Sequence, residues 1–187
     1  IENPRHLATA WRTVLAAQRK VTRRRLRSKR RNKARKLFAK AHRKVANARR
    51  DFHHKTARAI VRQYDRIAVE DLNVAGLARG MRRKQVLDAG WGQYLLIQRS
   101  KAEGAGCVVK SVPAPGTSLE CAACGLTVPK TLSERTHRCP GCGFTVSRDH
   151  NSALVIRHRG FGNGPGSGLR GGTSAGADAR ASVGMCR

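Results

Sequence analysis

Ser118 to Ala153 reads SLECAACGLTVPKTLSERTHRCPGCGFTVSRDHNSA, and it holds two Cys-x-x-Cys pairs, Cys121/Cys124 and Cys139/Cys142, fourteen residues apart. Each pair lies in a short knuckle, Cys-Ala-Ala-Cys-Gly and Cys-Pro-Gly-Cys-Gly. A glycine after the second cysteine permits positive φ, which lets backbone N–H groups point at the thiolates. Four thiolates suit tetrahedral Zn²⁺, and folding around the ion stabilises a segment too short for its own core. The spacing therefore predicts a four-cysteine zinc ribbon, with two disulfides as the alternative. Asp149 follows the ribbon in Arg148-Asp149-His150-Asn151.

Outward from the ribbon, composition narrows the choice. The 187 residues suffice for one modest domain with a small insert. The chain opens at Ile1 with no secretory pattern and no apolar run long enough to cross a membrane. A cytoplasmic setting is expected, in which thiols stay reduced and bind metal rather than pair. Lys and Arg total 39 against 11 Asp and Glu, a formal charge of +28. Such a balance points to nucleic acid as partner, with no membrane and no small-molecule substrate. An anionic membrane fits less well, because the basic region lacks a bulky apolar face. Aromatic residues make up 4%, so stacking is not the main mode of binding.

Residues 1–65 read as two long helices. Leu7, Trp11, Val14, Gln18 and Val21 recur at helical spacing, as do Ala34, Leu37, Ala41, Val45, Ala48, Phe52, Thr56 and Ala59. A reversal at Ser28–Asn32 would make an α-hairpin zipped along a narrow seam. From Arg19 to Lys36, twelve of eighteen residues are Lys or Arg. With almost no acids interleaved, this run is expected to contact phosphates through Arg23, Arg24, Arg25, Arg27, Lys29, Arg30, Arg31, Lys33, Arg35 and Lys36. A merely solvated basic face is the alternative.

Arg66 to Leu72 breaks the helical period and predicts a short buried strand ending in Glu70 and Asp71. Gln85 to Glu103 predicts one helix with Leu87, Trp91, Leu95 and Leu96 inward, despite Gly90 and Gly92. Cys107 to Val112 predicts a second strand, stopped by Pro113 and Pro115. A helix is expected over Asp149–His158. From Gly160 onward nine of 28 residues are glycine, which predicts a disordered tail.

Glu70 and Asp149 lie at the ends of expected core elements, where hard cations such as Mg²⁺ are held. Phosphodiester cleavage by two metal ions needs bridging carboxylates of this kind. The alternatives are a strand-end acid and a helix cap.

Several motifs then occur in one order: Ala68-Val69-Glu70-Asp71-Leu72-Asn73-Val74, Asp88-Ala89-Gly90-Trp91-Gly92, Thr117-Ser118-x-x-Cys121-x-x-Cys124-Gly125, Cys139-Pro140-x-Cys142-Gly143 and Arg148-Asp149-x-Asn151-x-Ala153. Together they closely resemble the TnpB (OrfB) family of transposon-encoded, RNA-guided DNA nucleases, relatives of the type V CRISPR effectors. The resemblance implies an α/β fold: a partial RNase H-like (RuvC) nuclease domain carrying the basic hairpin and an inserted zinc ribbon. The expected layout is hairpin 1–65, partial core 66–116, ribbon 117–146, last acid and helix 147–159, and tail 160–187. By motif match Glu70 is the second metal-binding acid and Asp149 the third, both catalytic ligands of Mg²⁺. Cys121, Cys124, Cys139 and Cys142 take the zinc, and DNA and guide RNA are the implied partners.

The chain departs from the family pattern as well. The Gly-Ile-Asp-x-Gly-like motif of the first catalytic aspartate does not occur in these 187 residues, and Glu2 is the sole acid ahead of the hairpin. Ser147, Ser152, Val155 and Gly116 stand where Asp, Ala, Asn and an aromatic are usual. The expectation is a truncated, inactive family member whose two core strands lack neighbours, with Mg²⁺ bound only if the site is completed. The alternative is a non-catalytic RNA- or DNA-binding zinc-ribbon protein. A purely ribosomal-type ribbon would not need the ordered acid motifs.

Overall fold

The computed structural model describes residues 2–81, 83–131 and 133–162. Its elements are α1 (His6–Thr22), α2 (Lys29–Gln63), β1 (Arg66–Asp71), α3 (Val74–Leu77), α4 (Arg83–Ala89), α5 (Trp91–Gly104), β2 (Val108–Pro113), β3 (Thr136–Arg138), β4 (Thr145–Ser147) and α6 (Arg148–Phe161). They divide into two units, Ile1–Gln63 with Asn73–Lys101, and Tyr64–Leu72 with the described residues from Ala102 on. Asn73–Lys101 falls in the unit that holds the hairpin.

In the second unit, β1 and β2 pair in parallel, Arg66 opposite Val108 and Glu70 opposite Val112. The expectation that these strands lack neighbours is thus corrected, since each is the other's partner. Parallel pairing requires a crossover, which α3 to α5 provide. α6 packs on both strands, with Asn151, Val155 and Gly160 buried. The glycine-rich composition suggests a tail from residue 160, yet α6 runs on to Phe161. The reason is packing: a Cβ on Gly160 would stand 3.0 Å from the Ala68 Cβ. Only a bare backbone comes that close to β1. One residue on, the Arg66 guanidinium sits 4.4 Å and the Lys110 ammonium 5.4 Å from the centre of the Phe161 ring. Gly162, at φ 75°, ends the helix in the left-handed conformation. The rest of the expected tail lies outside the described residues.

In the first unit, α1 and α2 pack as a hairpin. The turn falls at Arg23–Ser28, ahead of the expected Ser28–Asn32. Ser28 Oγ accepts the Arg31 N–H at 3.1 Å, so the chain is already helical from Lys29. Val14, Ala34 and Val45 are buried as expected. Leu7, Val21, Ala41, Phe52 and Thr56 are half-buried as expected too. At two positions the packing moves by one residue: Trp11 is 45% and Leu37 54% exposed, while Ala10 and Phe38 are half-buried. A 3.6-residue period leaves two adjacent frames almost equally apolar, and the frame with small side chains on α1 is the one that packs.

The single helix expected over Gln85–Glu103 is two, α4 and α5, broken at Gly90 with φ +66°. A Cβ there would meet the Arg49 Cδ at 2.7 Å. The break also turns Leu87, Trp91 and Leu96 outward, at 52, 48 and 69% exposure. Leu95 is half-buried, and the fully inward positions are Asp88, Gln98 and Ala102. Asp88 accepts the Leu7 N–H at the start of α1 (2.9 and 3.0 Å) and an Arg49 N–H from α2 (2.8 Å). His53 donates from Nε2 to the Ala89 carbonyl at 2.9 Å, while its buried Nδ1 has no partner.

Burial, reinforced by Arg49, His6 and His54, holds the His53 pKa below 6.5 against the opposing pull of the Ala89 carbonyl. The unfolded chain therefore binds the proton first as pH falls, and stability drops from pH 6.5 downward. Thermal melts followed by circular dichroism are expected to lose Tm below that pH in the wild type. His53→Gln, which keeps a donor for Ala89, should flatten the dependence.

Candidate metal centre and acidic site

The two cysteine knuckles are built alike. Gly125 N–H donates to the Cys121 carbonyl at 2.8 Å, and Gly143 N–H to the Cys139 carbonyl at 3.0 Å. Cys121 N–H reaches Leu126 O at 2.9 Å, and Cys139 N–H reaches Phe144 O at 3.0 Å. Gly125 and Gly143 hold φ of 79° and 73°, the turn geometry the knuckle sequences predict.

These turns bring the four thiols together, all Sγ atoms lying within 4.8 Å of one another. Cys121 and Cys142 are 3.8 Å apart and Cys124 and Cys139 3.5 Å. A disulfide would need about 2.05 Å. A tetrahedral ion with bonds of about 2.3 Å sets its sulfurs about 3.8 Å apart, so the donor set fits such an ion. Among the described residues this is the one gathering of three or more Cys, His, Asp or Glu ligand atoms. Burial works to raise Cys139, but N–H groups of Cys142 and Gly141 and the neighbouring thiols outweigh it and bring the thiol to about 7. At Cys142 the Phe144 N–H favours the thiolate, while burial and three neighbouring sulfurs push it up to about 12. The cluster thus resists holding four negative charges without a cation.

Asn151 joins this centre to α6. Its Nδ2 donates to Glu120 O at 2.7 Å, and its Oδ1 accepts the Ala122 N–H at 3.0 Å. Both groups flank Cys121, and Asn151 is fully buried. Arg159, two turns along α6, adds bonds to the Glu120 carboxylate at 2.7 Å and to the Pro113 and Pro115 carbonyls at 3.1 and 2.9 Å. Sequence reasoning gives neither residue a role. Asn151 is visible as a motif position, whereas Arg159 stands among ordinary basic residues.

Glu70 and Asp149 both belong to the second unit. Glu70 Oε1 accepts the hydroxyl proton of buried Thr117 at 2.5 Å, so the Thr117-Ser118 step before the first knuckle also orients the acid. Asp149 sits in the first turn of α6 and does not cap it; Ser147 Oγ does, accepting the His150 N–H. The Asp149 side chain is 90% exposed, 3.9 Å from Arg148 Nε. The two acids alone fall short of the donors a two-metal centre requires.

Of the predicted basic residues, Arg31 has an internal task. It donates from Nη1 to Val21 O and Arg24 O at 3.3 and 3.1 Å, satisfying carbonyls at the end of α1. The others project from the turn and the start of α2, exposed. Among the described residues no helix is long and apolar enough to cross a membrane.

A basic hairpin and a ribbon whose four thiols could hold a metal ion define a broad class of protein. Comparison with known proteins narrows this class. Residues 1–81 match a family described as "Probable transposase", and residues 91–156 match the "Cas12f1-like, TNB domain". A "Putative RNA-guided DNA endonuclease" of Streptomyces pristinaespiralis is 32% identical over 160 residues, 83% of this chain and 39% of that protein. A second protein of that description, InsQ of Escherichia coli K12, is 31% identical over 66% of this chain and 35% of its own length. The TnpB-like protein L79 of Acanthamoeba polyphaga mimivirus is 30% identical over 70% and 26%. Over both matched stretches the chain is similar to the TnpB (OrfB) proteins. It spans about two fifths or less of the relatives' length.

Asn151→Ala leaves the Ala122 N–H and Glu120 carbonyl without partners at a buried site. The expected cost is about 2–4 kcal/mol in the second unit, measured by urea unfolding. Cys139→Ser is expected to lower bound metal, read by elemental analysis and by Co²⁺ absorption, at least about tenfold.

Proposed function

We propose that this chain acts as part of a TnpB-type, RNA-guided DNA nuclease. In this reading Zn²⁺ is held by Cys121, Cys124, Cys139 and Cys142, and β1, β2 and α6 belong to an RNase H-like (RuvC) core. Glu70 and Asp149 supply two acids to its Mg²⁺ site. The observation that carries it is the construction of the second unit. One strand bearing Glu70, one helix opening with Asp149, and the ribbon between them in sequence are joined by Thr117, Asn151 and Arg159. Zn²⁺ is the ion that four thiolates in tetrahedral spacing bind most readily in a reducing compartment.

Within this reading each residue of the chain has a defined task. Thr117 holds the Glu70 carboxylate by its hydroxyl, keeping one oxygen oriented and the other free for a cation. Asn151 fixes the start of α6, and with it Asp149, to the rigid ribbon. Mg²⁺ bound to such acids would activate water and stabilise the leaving oxygen. A third carboxylate is required beyond the two identified.

A second reading is favoured by the ligand set itself: among the described residues only the thiols gather in a group of three or more. On that reading the protein binds RNA or DNA through its charge without cutting. The two separate in one assay, with purified protein, Mg²⁺, guide RNA and matched DNA. Cleavage reduced at least about 100-fold by Glu70→Gln supports the nuclease, and an inert complete gene product removes it. Binding whose logarithm falls against log salt by less than about two phosphate contacts, at about −0.9 each, would remove both.

A further inference from the structure

The described surface contains one feature that the basic run of the sequence does not single out. On the α1/α2 hairpin lies a groove of about 960 Å³, lined on α2 by Lys36, Lys40, Arg43 and Lys44. Beside it lies a second hollow of about 510 Å³, where α1 contributes Arg12 and Lys20. Thr13, Leu37 and Ala41 line both hollows, which are therefore neighbours along the hairpin. Neither hollow has an acidic residue in its wall. None of the four ion pairs among the described residues involves any of these six cations.

We propose that this groove, rather than the arginine-rich turn, is the principal seat of a nucleic-acid strand, held by its sugar–phosphate backbone. The inference rests on the nucleic-acid reading above and assigns its location. Lys36, Lys40 and Lys44 recur every fourth residue, so they stand on one face of α2 as rungs about 6 Å apart. Arg43 lies on the same face. A row of evenly spaced cations matches a row of phosphates, and cations without acidic partners give up no internal ion pair on binding. The floor supplies the second half of the match. Leu37, 54% exposed, and the half-buried Ala41 offer an apolar strip between charged walls. A polymer with anionic phosphates outside and apolar sugar edges between them is complementary to both. The turn is less suited: Arg31 is committed to the end of α1, and the remaining arginines project from a six-residue loop.

The test compares two charge-matched variants of the protein. One is K36Q/K40Q/R43Q/K44Q in the groove, and the other is R23Q/R24Q/R25Q/R27Q at the turn. Helicity and Tm by circular dichroism verify both folds. Fluorescence anisotropy then measures affinity for single-stranded RNA, duplex DNA and an RNA–DNA hybrid across a salt series. The groove variant is expected to lose about 3–4 units of slope in log K against log salt and far more affinity than the turn variant. Leu37→Gln should weaken binding several-fold with the slope unchanged, which loss of charge alone would not produce. Equal losses from the two variants, or an unaltered slope in the groove variant, would overturn the groove while leaving nucleic-acid binding intact. Wild-type protein that binds none of the three probes would overturn both.

Discussion

Two hydrogen bonds from the Asn151 side chain, one donated to Glu120 O and one accepted from Ala122 N, bind the helix of the second unit to the knuckle of the metal centre. The carboxamide offers a donor and an acceptor on one planar group. It thereby satisfies both backbone groups that flank Cys121, in a place closed to water. The orientation of α6 then follows from the ribbon, whose two knuckles meet at the four thiols. Asp149, exposed on the first turn, inherits its position from this chain of constraints, its own side chain meeting only the adjacent Arg148 among the ion pairs of the described residues.

The same economy appears in the first unit around Asp88. A carboxylate buried there would be costly, but it meets the Arg49 guanidinium and the Leu7 N–H in the first turn of α1. The Ala89 carbonyl accepts the His53 N–H, and Gly90 turns the chain where no side chain would fit. The Asp88-Ala89-Gly90-Trp91-Gly92 motif is thus a brace for the hairpin. In both units a polar side chain spans elements far apart in sequence, while the apolar core is thin: alanines and valines dominate the buried set. A chain with so high a positive charge gains from such directional bonds, because a thin core leaves less apolar burial to oppose repulsion.

The ribbon is fully legible from its sequence, because its chemistry is local. Cysteine spacing and the following glycine specify a knuckle without reference to the remainder of the chain. The hairpin is legible in kind but not in frame. Its turn comes early because Ser28 is a cap, and part of its seam lies one residue away because Ala10 and Ala17 pack where Trp11 and Gln18 are expected. The helix over residues 85–103 reads as unbroken because periodicity cannot weigh a clash between a side chain at Gly90 and Arg49. The acids stand out by position alone; Thr117, which orients Glu70, is visible merely as part of a motif.

By itself the sequence determined the two cysteine knuckles, the basic character of the hairpin, the two strands and the similarity of both matched stretches to the TnpB (OrfB) proteins. Each depends on residue type and short-range spacing. Tertiary structure alone decided that the strands pair with each other, that Gly160 extends α6, that Asn151 and Arg159 tie this helix to the ribbon, and that six separated cations line two neighbouring hollows. These arise from distances between residues far apart in the chain, where shape and buried hydrogen bonds select among arrangements that local pattern leaves equivalent.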